Sequence, residues 1–83
     1  MTLQPVLVQC AGSWGTALAL VLARNHHQVY LWDINLEMIR EIKLVRYNRK
    51  YLPEIKIPKN VFPIEEVKEV PAEIKKIISA VPS

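Results

Sequence analysis

Two glycines three residues apart, Gly12 and Gly15, lie between a short apolar run, Pro5-Val6-Leu7-Val8, and a longer one, Ala17-Leu18-Ala19-Leu20-Val21-Leu22-Ala23. A strand, a glycine turn and a helix in that order form the setting in which G-x-G-x-x-G binds a dinucleotide. The three glycines of that pattern do different work. The first allows a tight turn, the second lets backbone approach the pyrophosphate, and the third lets the helix pack closely on the strand. Here the second and third are Gly12 and Gly15, and the first is replaced by Cys10. Peptide N–H groups at the start of the following helix then point at an anion, assisted by the partial positive charge of the helix end. The candidate cradle is therefore Cys10, Ala11, Gly12, Ser13, Trp14 and Gly15. Ser13 either adds a hydroxyl donor there or caps the helix.

The second group with chemistry to offer is Asp33, 18 residues past Gly15 and 21 past Gly12. An acidic residue about 20 positions after the glycine turn accepts hydrogen bonds from ribose hydroxyls and repels the extra phosphate of NADP, so the spacing favours NAD. The alternative is that Asp33 caps the helix that follows. Cys10 also has two readings. A non-glycine residue forced to positive φ costs about 1–3 kcal/mol and crowds the cofactor, whereas a thiol beside a helix N-terminus is activated by a lowered pKa. The adjacent pair His26-His27 has no further ligands near it in sequence, and no metal site is expected. Arg46, Arg49 and Lys50, with Tyr47 and Tyr51 interleaved, form the one dense basic patch. At a helix end this reads as a solvated face, not a nucleic-acid surface.

The elements that must position these groups follow from periodicity. Residues 5 to 9 read as a buried parallel strand with Gln9 out of character at its end. A first helix is predicted from Ser13 to Arg24, with Trp14, Ala17, Leu18, Val21 and Leu22 recurring at helical spacing, stopped by Asn25-His26-His27. Val29 to Trp32 is the second strand, with Asp33 at its end. Asn35 caps a second helix running to about Tyr47, whose stripe of Met38, Ile39, Ile42 and Val45 is core. Tyr51 to Pro58 reads as an extended, proline-punctuated connection. Val61-Phe62-Pro63-Ile64 is a short edge strand, because proline cannot donate to a central ladder. Glu65 to Val70 reads as a brief helix, and Ile74 to Val81 as a fourth strand. The fold class is α/β, an incomplete doubly wound parallel sheet in the order 3-2-1-4.

Composition bounds the rest. The 83 residues are 51% hydrophobic and 23% charged, as in a globular domain, and carry a net charge of +3. A chain of this size buries only about 60% of its unfolded surface. No apolar run approaches the ~20 residues that span a bilayer, and no basic region precedes one as in a signal peptide, so a cytoplasmic protein is expected. One cysteine excludes an internal disulfide.

Ala11-Gly12-Ser13-Trp14-Gly15-Thr16-Ala17-Leu18-Ala19, then Ala23-Arg24-Asn25, Leu31-Trp32, Tyr51-Leu52-Pro53 and Ala80-Val81-Pro82-Ser83, resemble the N-terminus of the bacterial-type NAD(P)-dependent glycerol-3-phosphate dehydrogenases. The resemblance runs over nearly the whole chain in one register. It implies interconversion of dihydroxyacetone phosphate and glycerol 3-phosphate for glycerophospholipid synthesis, and it places Pro82 beside the ribose or pyrophosphate. It also implies that the catalytic lysine and the substrate-phosphate ligands belong to a helical domain absent from these residues. No catalytic residue is therefore assigned here. Gln9, Cys10, His26 and Glu54 depart from the family pattern, His26 and Glu54 standing where glycine is usual. On this reading the chain is a truncated dehydrogenase, not catalytic alone. It is a remnant, a nucleotide-binding module, or one piece of a split enzyme. Strand four, with Ile77, Ile78 and Val81, leaves an open edge that invites self-association.

Overall fold

The computed structural model describes residues 5–9, 12–71, 74 and 76–79. Four parallel strands form the main sheet: β1 (Val6–Gln9), β2 (Val29–Trp32), β5 (Val61–Ile64) and β6 (Lys76–Ser79), in the order β5-β2-β1-β6. This is the expected 3-2-1-4 arrangement of the main-sheet strands. Helix α1 (Ser13–Arg24) joins β1 to β2, and α2 (Leu36–Val45) leaves β2 on the way to β5. β1 is the hub, pairing Val6 with both Val29 and Lys76.

Strand alternation decides what each face does. Val6, Val8, Val29, Leu31 and Val61 face the helices and pack with Ala19, Ala23, Ile39, Ile42 and Ile57, all buried. The other face carries one register row across all four strands, Phe62, Tyr30, Leu7 and Ile77. Leu7 is buried, whereas Phe62 and Ile77 are exposed. Tyr30 and Phe62 stack with ring centroids 5.3 Å apart, a cross-strand pair that fixes the register of the β5 edge. Pro63 sits in that edge strand, where only one side of the ladder needs donors.

The face that α1 buries differs from the stripe its periodicity suggests. Gly15, Thr16, Ala19 and Ala23 are buried, while Trp14 and Val21 are exposed. Small residues win this position because they let the helix approach the sheet closely, so size and not hydrophobicity selects the inner face.

The end of α1 follows from backbone geometry. His26 has φ 69°, the left-handed conformation. Its N–H donates to the Ala23 carbonyl (3.0 Å) and that of His27 to the Leu22 carbonyl (3.1 Å), the paired bonds of a Schellman turn. Asn60 Nδ2 then donates to the carbonyls of Ala23 and His27, both at 2.9 Å, and so locks the helix end to the start of β5.

Four expectations need correction. Helix α2 ends at Val45, not near Tyr47, because Arg46 turns left-handed at φ 62°. The segment after it is no plain connection. β3 (Tyr47–Asn48) and β4 (Leu52–Lys56) pair antiparallel in a small second sheet, and the N–H of Ile57 donates to the Arg46 carbonyl at 2.8 Å. Residues 65–70 make only a 3-10 turn, Val67–Glu69, in which the Glu69 carboxylate accepts from the N–H groups of Glu65 and Glu66 at 2.9 Å. Arg46 does not join a basic surface. Its guanidinium turns inward to donate to the carbonyls of Pro58 and Val61, and partial burial lowers its pKa.

Candidate functional site: the glycine turn and the end of β2

β1 and β2 run parallel in register, Gln9 beside Trp32, so the turn into α1 and the segment after β2 emerge at the same carboxyl edge of the sheet. In open α/β sheets ligands bind outside that edge. Gly12 is the N-cap of α1, with φ −67° and ψ −168°, and its carbonyl accepts the N–H of Thr16 at 2.9 Å. This is extended backbone open to any residue, so conformation does not demand glycine at position 12. Space is the distinguishing feature. Among the described residues, its chain neighbours aside, a Cβ built on Gly12 meets no atom within 4 Å. The backbone is thus bare towards the open side, as required where a phosphate must approach a helix start.

The helix start is prepared electrically as well. Among the described residues no side chain caps it, and its first turn holds no acidic residue. Ser13 is the first helical residue rather than the cap, which corrects the capping alternative. Ser13 and Trp14 are exposed at the site, whereas Gly15 is buried. Cys10, Ala11 and Pro82 lie outside the described residues, and so do Ala80 and Val81.

Asp33 stands directly after β2, and its Oδ1 accepts the N–H of Asn35 at 2.8 Å. The cap of α2 is Asn35, whose side chain accepts from Met38 N–H at 3.2 Å. Asp33 therefore shapes the turn before the cap and is not itself the cap. Beside it lies an open cleft of about 520 Å3, lined by Trp32, Asp33, Ile34, Arg40, Lys43 and Glu65 among others. Glu65 ties its walls together. The carboxylate accepts from Arg40 (3.0 Å) and Lys43 (3.3 Å), while its carbonyl accepts Trp32 Nε1–H at 3.2 Å. The two cations hold the Glu65 carboxyl below the usual carboxylate range.

Sequence reasoning missed one polar pair beneath the glycine turn. Asn48 on β3 donates through Nδ2 to Thr16 Oγ1 at 2.9 Å, and both residues are fully buried. The signal available was a polar residue beside each predicted helix end, Thr16 in the first turn of the first helix and Asn48 just past the expected end of the second, which periodicity alone does not pair. Among the described residues no three His, Cys, Asp or Glu side chains converge to hold a metal. No described helix is long and apolar enough to cross a membrane.

A parallel 3-2-1-4 sheet with a bare glycine turn at the carboxyl end of its central strand and an acidic residue after the next strand defines a Rossmann-type α/β domain. The comparisons agree with that class. The family described as NAD-dependent glycerol-3-phosphate dehydrogenase N-terminus matches residues 5–83, and the chain belongs to it. It is 45% identical over 73 residues to glycerol-3-phosphate dehydrogenase [NAD(P)+] of Bartonella henselae, covering 88% of this chain and 22% of that protein. The protein of the same name from Geobacillus thermodenitrificans is 41% identical over 81 residues, covering 98% and 24%. The crystal structure of glycerol-3-phosphate dehydrogenase from Coxiella burnetii superposes with a TM-score of 0.86 at 34% identity, over 92% of this chain and 23% of that one. The chain thus spans about a quarter of the length of these relatives.

Proposed function

We propose that residues 1–83 form the NAD-binding unit of a dehydrogenase that interconverts dihydroxyacetone phosphate and glycerol 3-phosphate, the reaction that feeds glycerophospholipid synthesis. The observation that carries this reading is the bare backbone of Gly12 at an uncapped helix start, in a chain of this family. NAD supplies hydride transfer when bound. This chain's residues bind and orient. The N–H groups at the start of α1 receive the pyrophosphate, with the helix dipole adding to their attraction. Gly12 keeps the approach open, and Gly15 holds α1 close to the sheet so that the donors stay aimed. Asp33 accepts from the adenosine ribose hydroxyls and discriminates against a 2′-phosphate. Substrate binding and proton transfer belong to polypeptide beyond this unit, consistent with relatives four times as long.

The test is titration of NADH and NADPH into the chain, followed by tryptophan fluorescence, beside Asp33→Asn. Asparagine retains a carbonyl oxygen for the Asn35 N–H and removes the charge. An exposed charge pair at contact distance is worth about 1 kcal/mol. Relative affinity for NADPH should therefore rise about fivefold. Absence of saturable NADH binding would overturn the function proposed. An unchanged preference would reduce Asp33 to a turn residue.

A further inference from the structure

We infer that Thr16 and Asn48 form a positioning pair that sets the glycine turn for an anionic ligand, so that the β3–β4 hairpin, far along the chain from the turn, belongs to the binding machinery. This rests on the cofactor reading above.

Thr16 performs two tasks at one point. Its backbone N–H closes the first turn of α1 on the Gly12 carbonyl at 2.9 Å, and its Oγ1 accepts Asn48 Nδ2–H at 2.9 Å. The pitch and direction of the first helical turn, and with them the aim of the N–H groups before it, are thus tied to a side chain 32 residues away. Asn48 is itself fixed from both ends. Its Oδ1 lies 3.4 Å from the Tyr51 N–H, its main-chain carbonyl accepts the same N–H at 3.3 Å, and its backbone pairs with Leu52. This leaves the amide one orientation, with NH2 towards Thr16 and oxygen towards Tyr51.

Burial makes the arrangement costly to leave incomplete. Both side chains are at most 1% exposed, and among the described residues they are the only buried polar ones. Removing one partner takes a hydrogen bond from the other in a dry site, a larger penalty than the net worth of the bond. A core of this size has no need of a polar pair for cohesion, since an apolar pair of the same shape serves equally well. What the pair adds is direction, because a hydrogen bond fixes orientation where a methyl contact does not.

The experiment compares Thr16→Val, which keeps shape and deletes the hydroxyl, with Thr16→Ser, which keeps the hydroxyl. Each chain is held well below its own Tm and titrated with NADH, ADP and adenosine. Backbone amide exchange of residues 13–16 is measured without ligand. Thr16→Val should weaken NADH and ADP about tenfold, leave adenosine, which lacks phosphate, within about twofold, and speed exchange at the helix start. Thr16→Ser should restore the phosphate ligands to within about threefold. A pair that only supports folding would lower Tm and leave the ADP-to-adenosine ratio unchanged, and that result overturns the inference. If the unsubstituted chain binds no NADH, the function proposed above fails, and amide exchange alone decides the pair. Exchange at residues 13–16 equal in Thr16→Val and the unsubstituted chain overturns it.

Discussion

Replacing Gly12 with alanine separates the two demands made on the glycine turn. The backbone at Gly12 is extended, at φ −67° and ψ −168°, and its added Cβ would meet no atom of the described residues within 4 Å, chain neighbours aside, so these residues offer no steric objection. Glycine is a better N-cap than alanine by about 1 kcal/mol. Alanine, however, narrows the unfolded ensemble, worth about 0.4–1 kcal/mol in the opposite sense. The two effects largely cancel, and the Tm of Gly12→Ala should stay within about 4 °C of the unsubstituted chain. Binding should respond differently. The new methyl occupies the open space through which a pyrophosphate reaches the helix start, and losing one charge-assisted hydrogen bond there costs about 1.5–3 kcal/mol. At 1.4 kcal/mol per factor of ten, NADH affinity should fall about 10- to 100-fold. Thermal denaturation followed by circular dichroism reads the first quantity. Titration of NADH, followed through Trp14, two residues along and exposed, reads the second. Affinity within twofold of the unsubstituted chain would refute the approach of a ligand to Gly12, and loss of folding would refute the claim that the space is empty.

Two other perturbations test the surrounding frame. His26→Gly removes a side chain from a left-handed position at φ 69°, where a Cβ costs about 1–2 kcal/mol, partly offset by glycine's freedom when unfolded. A net gain of about 1 kcal/mol should raise Tm by about 4–8 °C, and an unchanged or lower Tm would show that the His26 side chain compensates for the strain. Glu65→Gln tests the link between α2 and the end of β5. The folded pKa of Glu65 is depressed by Arg40 and Lys43, so its contribution is fully present above its unfolded pKa and is lost as pH falls through the folded value. The Tm difference between the unsubstituted chain and the variant should therefore be present at neutral pH and vanish in acid. A difference independent of pH would remove the carboxylate from the account.

How much was legible in the sequence depended on whether one residue's chemistry sufficed to announce it. The strands β1, β2 and β5, helix α1 and the Asn35 cap could be placed because apolar runs and capping residues act locally. The edge position of β5 followed from Pro63 alone. Helix α2 was overrun by two residues because nothing about an arginine announces a left-handed turn. Only the guanidinium's reach to the carbonyls of Pro58 and Val61 explains why Arg46 adopts it. The hairpin escaped notice for a related reason, since β4 is largely exposed and lacks the alternation that marks a strand. At the site, Gly12, Gly15 and Asp33 could be named from spacing. Thr16 and Asn48 could not, because a hydrogen bond between residues so far apart leaves no periodic trace.

The central position of β1 has a consequence for the time course of folding. Its first residue pairs with Val29, 23 positions on, and with Lys76, 70 positions on, and no two strands of the main sheet are joined by a tight turn. During synthesis β1 and β2 can dock as soon as α1 has formed, but the other flank of β1 must wait for nearly all of these residues to emerge. In that interval Val6, Leu7 and Val8 carry an unsatisfied ladder on one side. The nascent chain is most vulnerable to misassembly at the strand that leads into its glycine turn, and a chaperone that shelters early hydrophobic segments would act first on that strand.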